Sequence, residues 1–232
     1  PFALAVDTAV EIRASELGLG VNKGARVYVL PCIAGHVGAD AAGVVLAEAP
    51  QKAEINTLVV DVGTNAEIVV GNSKRMLAAS SPTGPAFEGA QISSGQRAAP
   101  GAIERIRIDK DTLEPCFRVI GVEQWSNEDG FDEAVKSTGI TGICGSGIIE
   151  VLAEMYLSGI LSTDGVIDGT VAARTPRIEE DGRTFAYRVA ENVVVTQNDV
   201  RAIQLAKAAL HAGFRLLMDK MELKKVDRVV LA

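Results

Sequence analysis

Asp61, Gly63, Thr64 and Asn65 stand in a short polar break between two apolar runs, Leu58-Val59-Val60 and Ile68-Val69-Val70. Residues of these types can do phosphate chemistry. Asp61 can hold a divalent cation or its water, Gly63 lets a ligand reach the main chain, and Thr64 and Asn65 offer hydrogen-bond donors. They form a candidate cradle for phosphate and Mg2+, with Asp61 as its catalytic and metal-holding residue. Hairpins also carry Asp and Gly for turn geometry alone, so this stretch leaves both readings open.

A second chemical stretch is Ile140 to Ile160, where Gly142, Gly145 and Gly147 surround Cys144 and Ser146. Ile148, Val151, Leu152, Met155 and Tyr156 then follow at helical spacing. A glycine-rich turn feeding a helix start offers N–H groups and the positive end of the helix dipole to an anion. Cys144 reads either as a reactive thiolate or as a small buried filler. No His or second Cys stands nearby, which favours the filler. Between the two stretches, the glycine- and proline-rich segment Ser80 to Glu104 presents Glu88 and Arg97 for ligand or partner contact; an ordered surface loop with both charges solvated is the alternative. Further on, Gln204, Lys207 and His211 lie on a predicted helix, with Lys207 either reaching a ligand or simply solvated.

The elements that must position these residues follow from patterning. Leu58 to Val60, Ile68 to Val70 and Lys74 to Ser80 read as strands joined by turns. Val27 to Leu30 reads as a short strand, and Ile33 to about Glu48 as a helix notched by Gly35, Gly38 and Gly43. Ile106 to Val122 reads as an edge hairpin turning at Asp109-Lys110-Asp111, Gln124 to Val135 as an exposed segment anchored by Trp125, and Gly165 to Thr196 as irregular with short strands. Thr196-Gln197-Asn198-Asp199 is a capping box. The helix it opens carries Val200, Ile203, Ala206, Leu210, Phe214, Leu217 and Met221 on one face. Val229-Val230-Leu231 would return it to the sheet. Ala49-Pro50-Gln51-Lys52 is the candidate lobe boundary.

With 47% hydrophobic but only 4% aromatic residues, the core must be built from Val, Ile, Leu and Ala, as in α/β proteins with covered sheets. A net charge of −7 gives no cationic surface for nucleic acid. No apolar run approaches the roughly 20 residues that span a bilayer, so a soluble, cytoplasmic protein is expected. Three cysteines, Cys32, Cys116 and Cys144, are too scattered for a disulfide framework or an iron–sulfur or zinc site within the chain. The opening Pro1-Phe2 and the closing strand pattern suggest a piece of something longer.

Five segments together carry a resemblance: Asp61 to Glu67, Gly84 to Ile92, Arg97 to Glu104, Gly142 to Gly147, and Gln204 to Ala209. In this order they resemble the C-terminal ATPase region of the reductive activators of corrinoid proteins, in the acetate and sugar kinase/heat-shock chaperone/actin superfamily. The resemblance implies an α/β fold: a ribonuclease-H-like, actin-like ATPase lobe with a mixed sheet flanked by helices, part of a two-lobed fold. Residues 1–50 would then be the end of the first lobe and the inter-lobe helix, and 51–232 the second lobe, stopping before the adenosine motif. It implies ATP and Mg2+ as ligands, with Asp61 near Mg2+ and Glu88 a second catalytic candidate. Gly63, Thr64, Asn65, Gly142, Cys144, Gly145, Ser146 and Gly147 would contact the nucleotide, and Gln204 and Lys207 would flank adenosine. ATP hydrolysis would support reduction of a methyltransferase system's corrinoid protein from Co(II) to Co(I). The electron would come from a [2Fe-2S] domain outside this sequence, and a homodimer is the candidate assembly. The sequence alone expects these residues by themselves to be inactive. It leaves open a small-molecule kinase of the same superfamily, with Glu88 as general base, and a non-catalytic partner-binding lobe.

Overall fold

The computed structural model describes residues 3–232, so the reading of Pro1-Phe2 lies outside the described residues. Strands β1 (Val10–Arg13) and β2 (Arg26–Val29) precede helix α1 (Ala39–Glu48), followed by β3 (Thr57–Val62), β4 (Ala66–Gly71) and β5 (Met76–Ser81). Next come β6 (Ala102–Ile108), β7 (Pro115–Val119), the one-turn α2 (Phe131–Ala134), β8 (Gly142–Ile143) and α3 (Gly145–Leu157). The chain closes with β9 (Ile178–Asp181), β10 (Thr184–Ala190), β11 (Val193–Thr196), α4 (Gln197–Lys220) and β12 (Arg228–Leu231). It folds as two compact units: the described part of Pro1–Pro82 together with Ala209–Ala232, and Thr83–Ala208.

The first unit is built on a four-stranded sheet in the order β12-β3-β4-β5. Strands β3, β4 and β5 form an antiparallel meander, and β12 returns parallel to β3 with Val230 opposite Val59. Three antiparallel strands, then a fourth parallel to the first after a helix, is the ribonuclease-H-like order. The period-two alternation of β3 and β4 sends Leu58, Val60, Ile68 and Val70 to one face. There they pack against Leu210, Phe214 and Leu217 of α4 and Met221 just past its end, on the face its spacing predicted, and against Met218 beside them. The helix comes so close that a Cβ at Gly213 would lie 2.6 Å from Ile68 Cδ1. Residues 83–208 intervene between β5 and this part of α4.

One expectation for this unit is corrected. The helix read from Ile33 begins only at Ala39, because the preceding backbone is spent on a local turn. Ile33 and Ala34 N–H groups both donate to Val37 O, and Gly38 is extended at the N-cap (φ −75°, ψ −173°). Only Gly43 of the three glycines is therefore helical. Ahead of the first strand read from the pattern, Val10–Arg13 forms β1, which pairs antiparallel with β2.

The second unit contains two three-stranded sheets, β7-β6-β8 and β11-β10-β9. The hairpin expected at an edge contributes its first strand to the middle of a sheet: β6 pairs antiparallel with β7 and parallel with β8, which is only two residues long. Beyond β8 the remaining N–H groups on that side of β6 are satisfied by α3 carboxylates. Ile106 N–H donates to Glu150 Oε2 (2.7 Å) and Ile108 N–H to Glu154 Oε2 (3.0 Å). Sequence spacing could not show this substitution of side chains for a strand. Ile148, Val151 and Met155 of α3 are buried against β6, and the buried Tyr187 donates its hydroxyl to Leu113 O (2.9 Å). At the start of α4 the capping box forms as read: Asp199 N–H donates to Thr196 Oγ1 (3.2 Å) and Thr196 N–H to Asp199 Oδ2 (2.8 Å).

Candidate functional site

The phosphate-type turn lies in the first unit. Val62 is paired with Ala66, so Gly63-Thr64-Asn65 is a three-residue loop at the tip of the β3–β4 hairpin, with Gly63 N–H donating to Asn65 O (3.1 Å). Thr64 and Asn65 are exposed and Asp61 is half-buried. The same register puts Asp61 directly opposite Glu67, and Glu67 opposite Ser80 on β5, one polar row across three strands. Ser80 Oγ donates to Glu67 Oε1 (3.0 Å). Burial raises the Glu67 carboxyl above its ordinary value against that hydrogen bond, and the charges of Asp40 and Asp61 add to the rise. Glu67 stood in the motif but was not singled out. The signal that would have found it is the loop length, which fixes the residue opposite Asp61.

The other sequence-predicted residues lie in the second unit, around two cavities. Glu88, Arg97, Ala98, Cys144, Gly145 and Ser146 line one of about 490 Å³. This space brings the loop charges to the start of α3, a juxtaposition that spacing alone did not give. Cys144, 2% exposed, sits at the N-cap of α3 with its Sγ 3.3 Å from Ser146 Oγ, in keeping with the filler reading. The glycines of this stretch serve packing: a Cβ at Gly145 would lie 2.1 Å from Phe87 O, one at Gly147 2.5 Å from Ile103 O, and one at Gly142 2.7 Å from Ser94 O. Their missing side chains let neighbouring backbone in. The second cavity, of about 660 Å³, lies between α3 and α4 and is mostly apolar, with Phe87, Leu152, Tyr156 and Ile203 in its wall and Gln204 and Lys207 among its polar groups. Gln204 is already engaged: Arg201 Nη1 donates to its Oε1 (2.6 Å) and its Nε2 donates to Asp164 O (3.2 Å). Lys207 is exposed, and His211 packs its ring against Phe214 (4.9 Å between centroids).

Two groups implied by the resemblance meet different surroundings. Asp61 and the loop supply hard oxygen donors, suited to Mg2+. Among the described residues, no group of three or more His, Cys, Asp or Glu could hold a metal ion. A cation at this turn would therefore draw most ligands from water and phosphate, which Mg2+ readily accepts. The three cysteines are all free, and they do not fit an iron–sulfur cluster within these residues. No helix of the described residues is long and apolar enough to cross a membrane.

Comparison with known proteins gives consistent results. Residues 55–232 match the family model for the C-terminal domain of RACo, the ASKHA domain, and residues 1–53 match the RACo middle region. The chain is 31% identical over 240 residues to the Corrinoid activation enzyme RamQ of Eubacterium limosum, covering 98% of this chain and 37% of that protein. It is 27% identical over 218 residues to the [Co(II) methylated amine-specific corrinoid protein] reductase of Methanosarcina barkeri, covering 87% of this chain and 40% of that protein. A solved structure of a Reductive activator for corrinoid,iron-sulfur protein superposes with a TM-score of 0.79 at 31% identity, covering 99% of this chain and 35% of its own. The chain thus spans roughly two fifths of the length of these relatives. With an ASKHA-domain match over most of its length, on a sheet of ribonuclease-H-like order, the chain belongs to the RACo family.

Proposed function

We propose that this chain is the ATP-binding ASKHA part of a reductive activator that uses ATP hydrolysis to return the Co(II) corrinoid of a methyltransferase system to Co(I). The observation that carries the reading is the hairpin turn Asp61 to Asn65 at the tip of a ribonuclease-H-like sheet, in a chain whose relatives are named for corrinoid activation. Asp61 would hold Mg2+, largely through water, while Gly63, Thr64 and Asn65 would receive phosphate oxygens. Bound Mg2+ would neutralise charge on the transferring phosphoryl group. Glu88 is the candidate to orient the attacking water. Gly142, Cys144, Gly145, Ser146 and Gly147 form the glycine-rich helix start assigned to nucleotide binding, and Gln204 and Lys207, on the apolar α3–α4 cavity, are assigned to adenosine.

The electron would come from a [2Fe-2S] centre outside these residues, and hydrolysis would drive a conformational change rather than phosphorylate a product. A corrinoid protein is the partner, a homodimer the candidate assembly and the cytoplasm the working compartment. Residues 1–50 are assigned to the end of the first lobe and its connecting helix, and 51–232 to the second lobe. The test is MgATP-dependent appearance of the Co(I) absorption of a corrinoid protein, supplied with a low-potential donor and the full-length polypeptide. Asp61→Asn should abolish the ATP dependence. Equal Co(I) formation with and without ATP would overturn the reading.

A further inference from the structure

The row Asp61–Glu67–Ser80 puts two carboxylates into a sheet whose other residues are mostly Val, Ile, Leu and Ala. Strand register places the two carboxylates directly opposite each other at the end of the hairpin that carries the phosphate-type turn. Like charges facing across a strand pair destabilise it, and a purely structural position here would be served by Thr, Gln or Lys. Instead the neighbouring strand holds Glu67 in place, with Ser80 Oγ donating to its Oε1 at 3.0 Å. A carboxylate has about four acceptor positions, of which Ser80 Oγ and the backbone of Glu67 itself take two.

We infer that Glu67 is a positioning residue of the phosphate turn, fixed by Ser80 and accepting hydrogen bonds from water carried by the cation beside Asp61. The inference rests on the nucleotide reading above and adds a residue that the reading does not use. The polar row can do this because a cation with few protein ligands is oriented largely by the groups that hold its waters.

The test is isothermal calorimetry of ADP binding to the full-length polypeptide, with Mg2+ and with EDTA, for wild type, Glu67→Gln and Ser80→Ala, together with thermal melts of the ligand-free proteins. Losing a partner that orients a metal site costs about 10–100-fold in affinity. Glu67→Gln should therefore lose at least tenfold of the Mg2+-dependent gain in ADP affinity. Its affinity in EDTA should stay within about twofold, and its ligand-free melting temperature should hold or rise, since a like-charge contact is removed. Ser80→Ala, which keeps the charge and frees the carboxylate, should lose a smaller part of the same gain. A Glu67→Gln protein with the wild-type Mg2+ gain would overturn the role, as would one that melts lower and loses affinity equally with and without Mg2+. A full-length wild-type polypeptide that binds ADP under neither condition would overturn the nucleotide reading itself.

Discussion

Asp199 ties the start of α4 to the glycine-rich loop of the second unit, and removing it should be costly. Its side chain, 3% exposed, accepts Thr196 N–H on Oδ2 (2.8 Å) and both Ser93 N–H (2.8 Å) and Ser93 Oγ (3.0 Å) on Oδ1. Asp199→Ala removes the acceptor for two backbone donors and one hydroxyl. Loss of a cap costs about 1 kcal/mol, and leaving a buried donor unsatisfied costs about 1–3 kcal/mol. With partial access of water, the sum comes to about 3 kcal/mol, or roughly 6–12 °C in Tm for a chain of this size. Asp199→Asn keeps one acceptor oxygen and should cost about half as much, since it still satisfies one of the two sides. Urea and thermal unfolding followed by circular dichroism would read both. An Asp199→Ala protein within about 0.5 kcal/mol of wild type, the usual range for a neutral surface change, would refute the argument.

Other outcomes follow from the same geometry. Gly145→Ala places a Cβ 2.1 Å from Phe87 O, backbone that cannot swing away, so the variant should lose about 2 kcal/mol or more and weaken ligand binding at the adjoining cavity; unfolding and binding titrations would show both. Glu150 is partly buried, which raises its carboxyl, but hydrogen bonds from Arg107, Ile106 N–H and Arg105 outweigh that and hold it below its ordinary value. It should therefore contribute stability above its unfolded-state value, lost as pH falls through the lower folded one. Acid titration of Glu150→Gln should show a shallower decline over that acidic range than wild type. Lys207→Ala should weaken nucleotide binding without changing the melting temperature, because Lys207 is exposed on the α3–α4 cavity; calorimetry and melts together would separate these effects.

What was legible in the sequence was local. The β3–β4–β5 meander, the capping box and the amphipathic α4 each rest on contacts within a few residues or on a clean period, and all three stand where the pattern put them. Three things depended on distant partners. The start of α1 was displaced because a turn at Ile33 to Val37 captured its N–H groups. The interior position of β6 came from β8, too short to leave a pattern, and from two glutamates on α3. The glycines at 142, 145 and 147, read as a turn that offers N–H groups to an anion at a helix start, also admit the backbone of Ser94, Phe87 and Ile103; a glycine's sequence context does not say which neighbour it admits. Glu67 was hidden differently, since only strand register reveals which residue faces Asp61.

Amide hydrogen exchange along the chain, with and without a non-hydrolysable MgATP analogue at millimolar concentration, tests the central claim most directly. The account predicts slowed exchange at Val62 to Glu67, abolished by Asp61→Asn. Exchange at this hairpin tip that is the same with and without the analogue would contradict it.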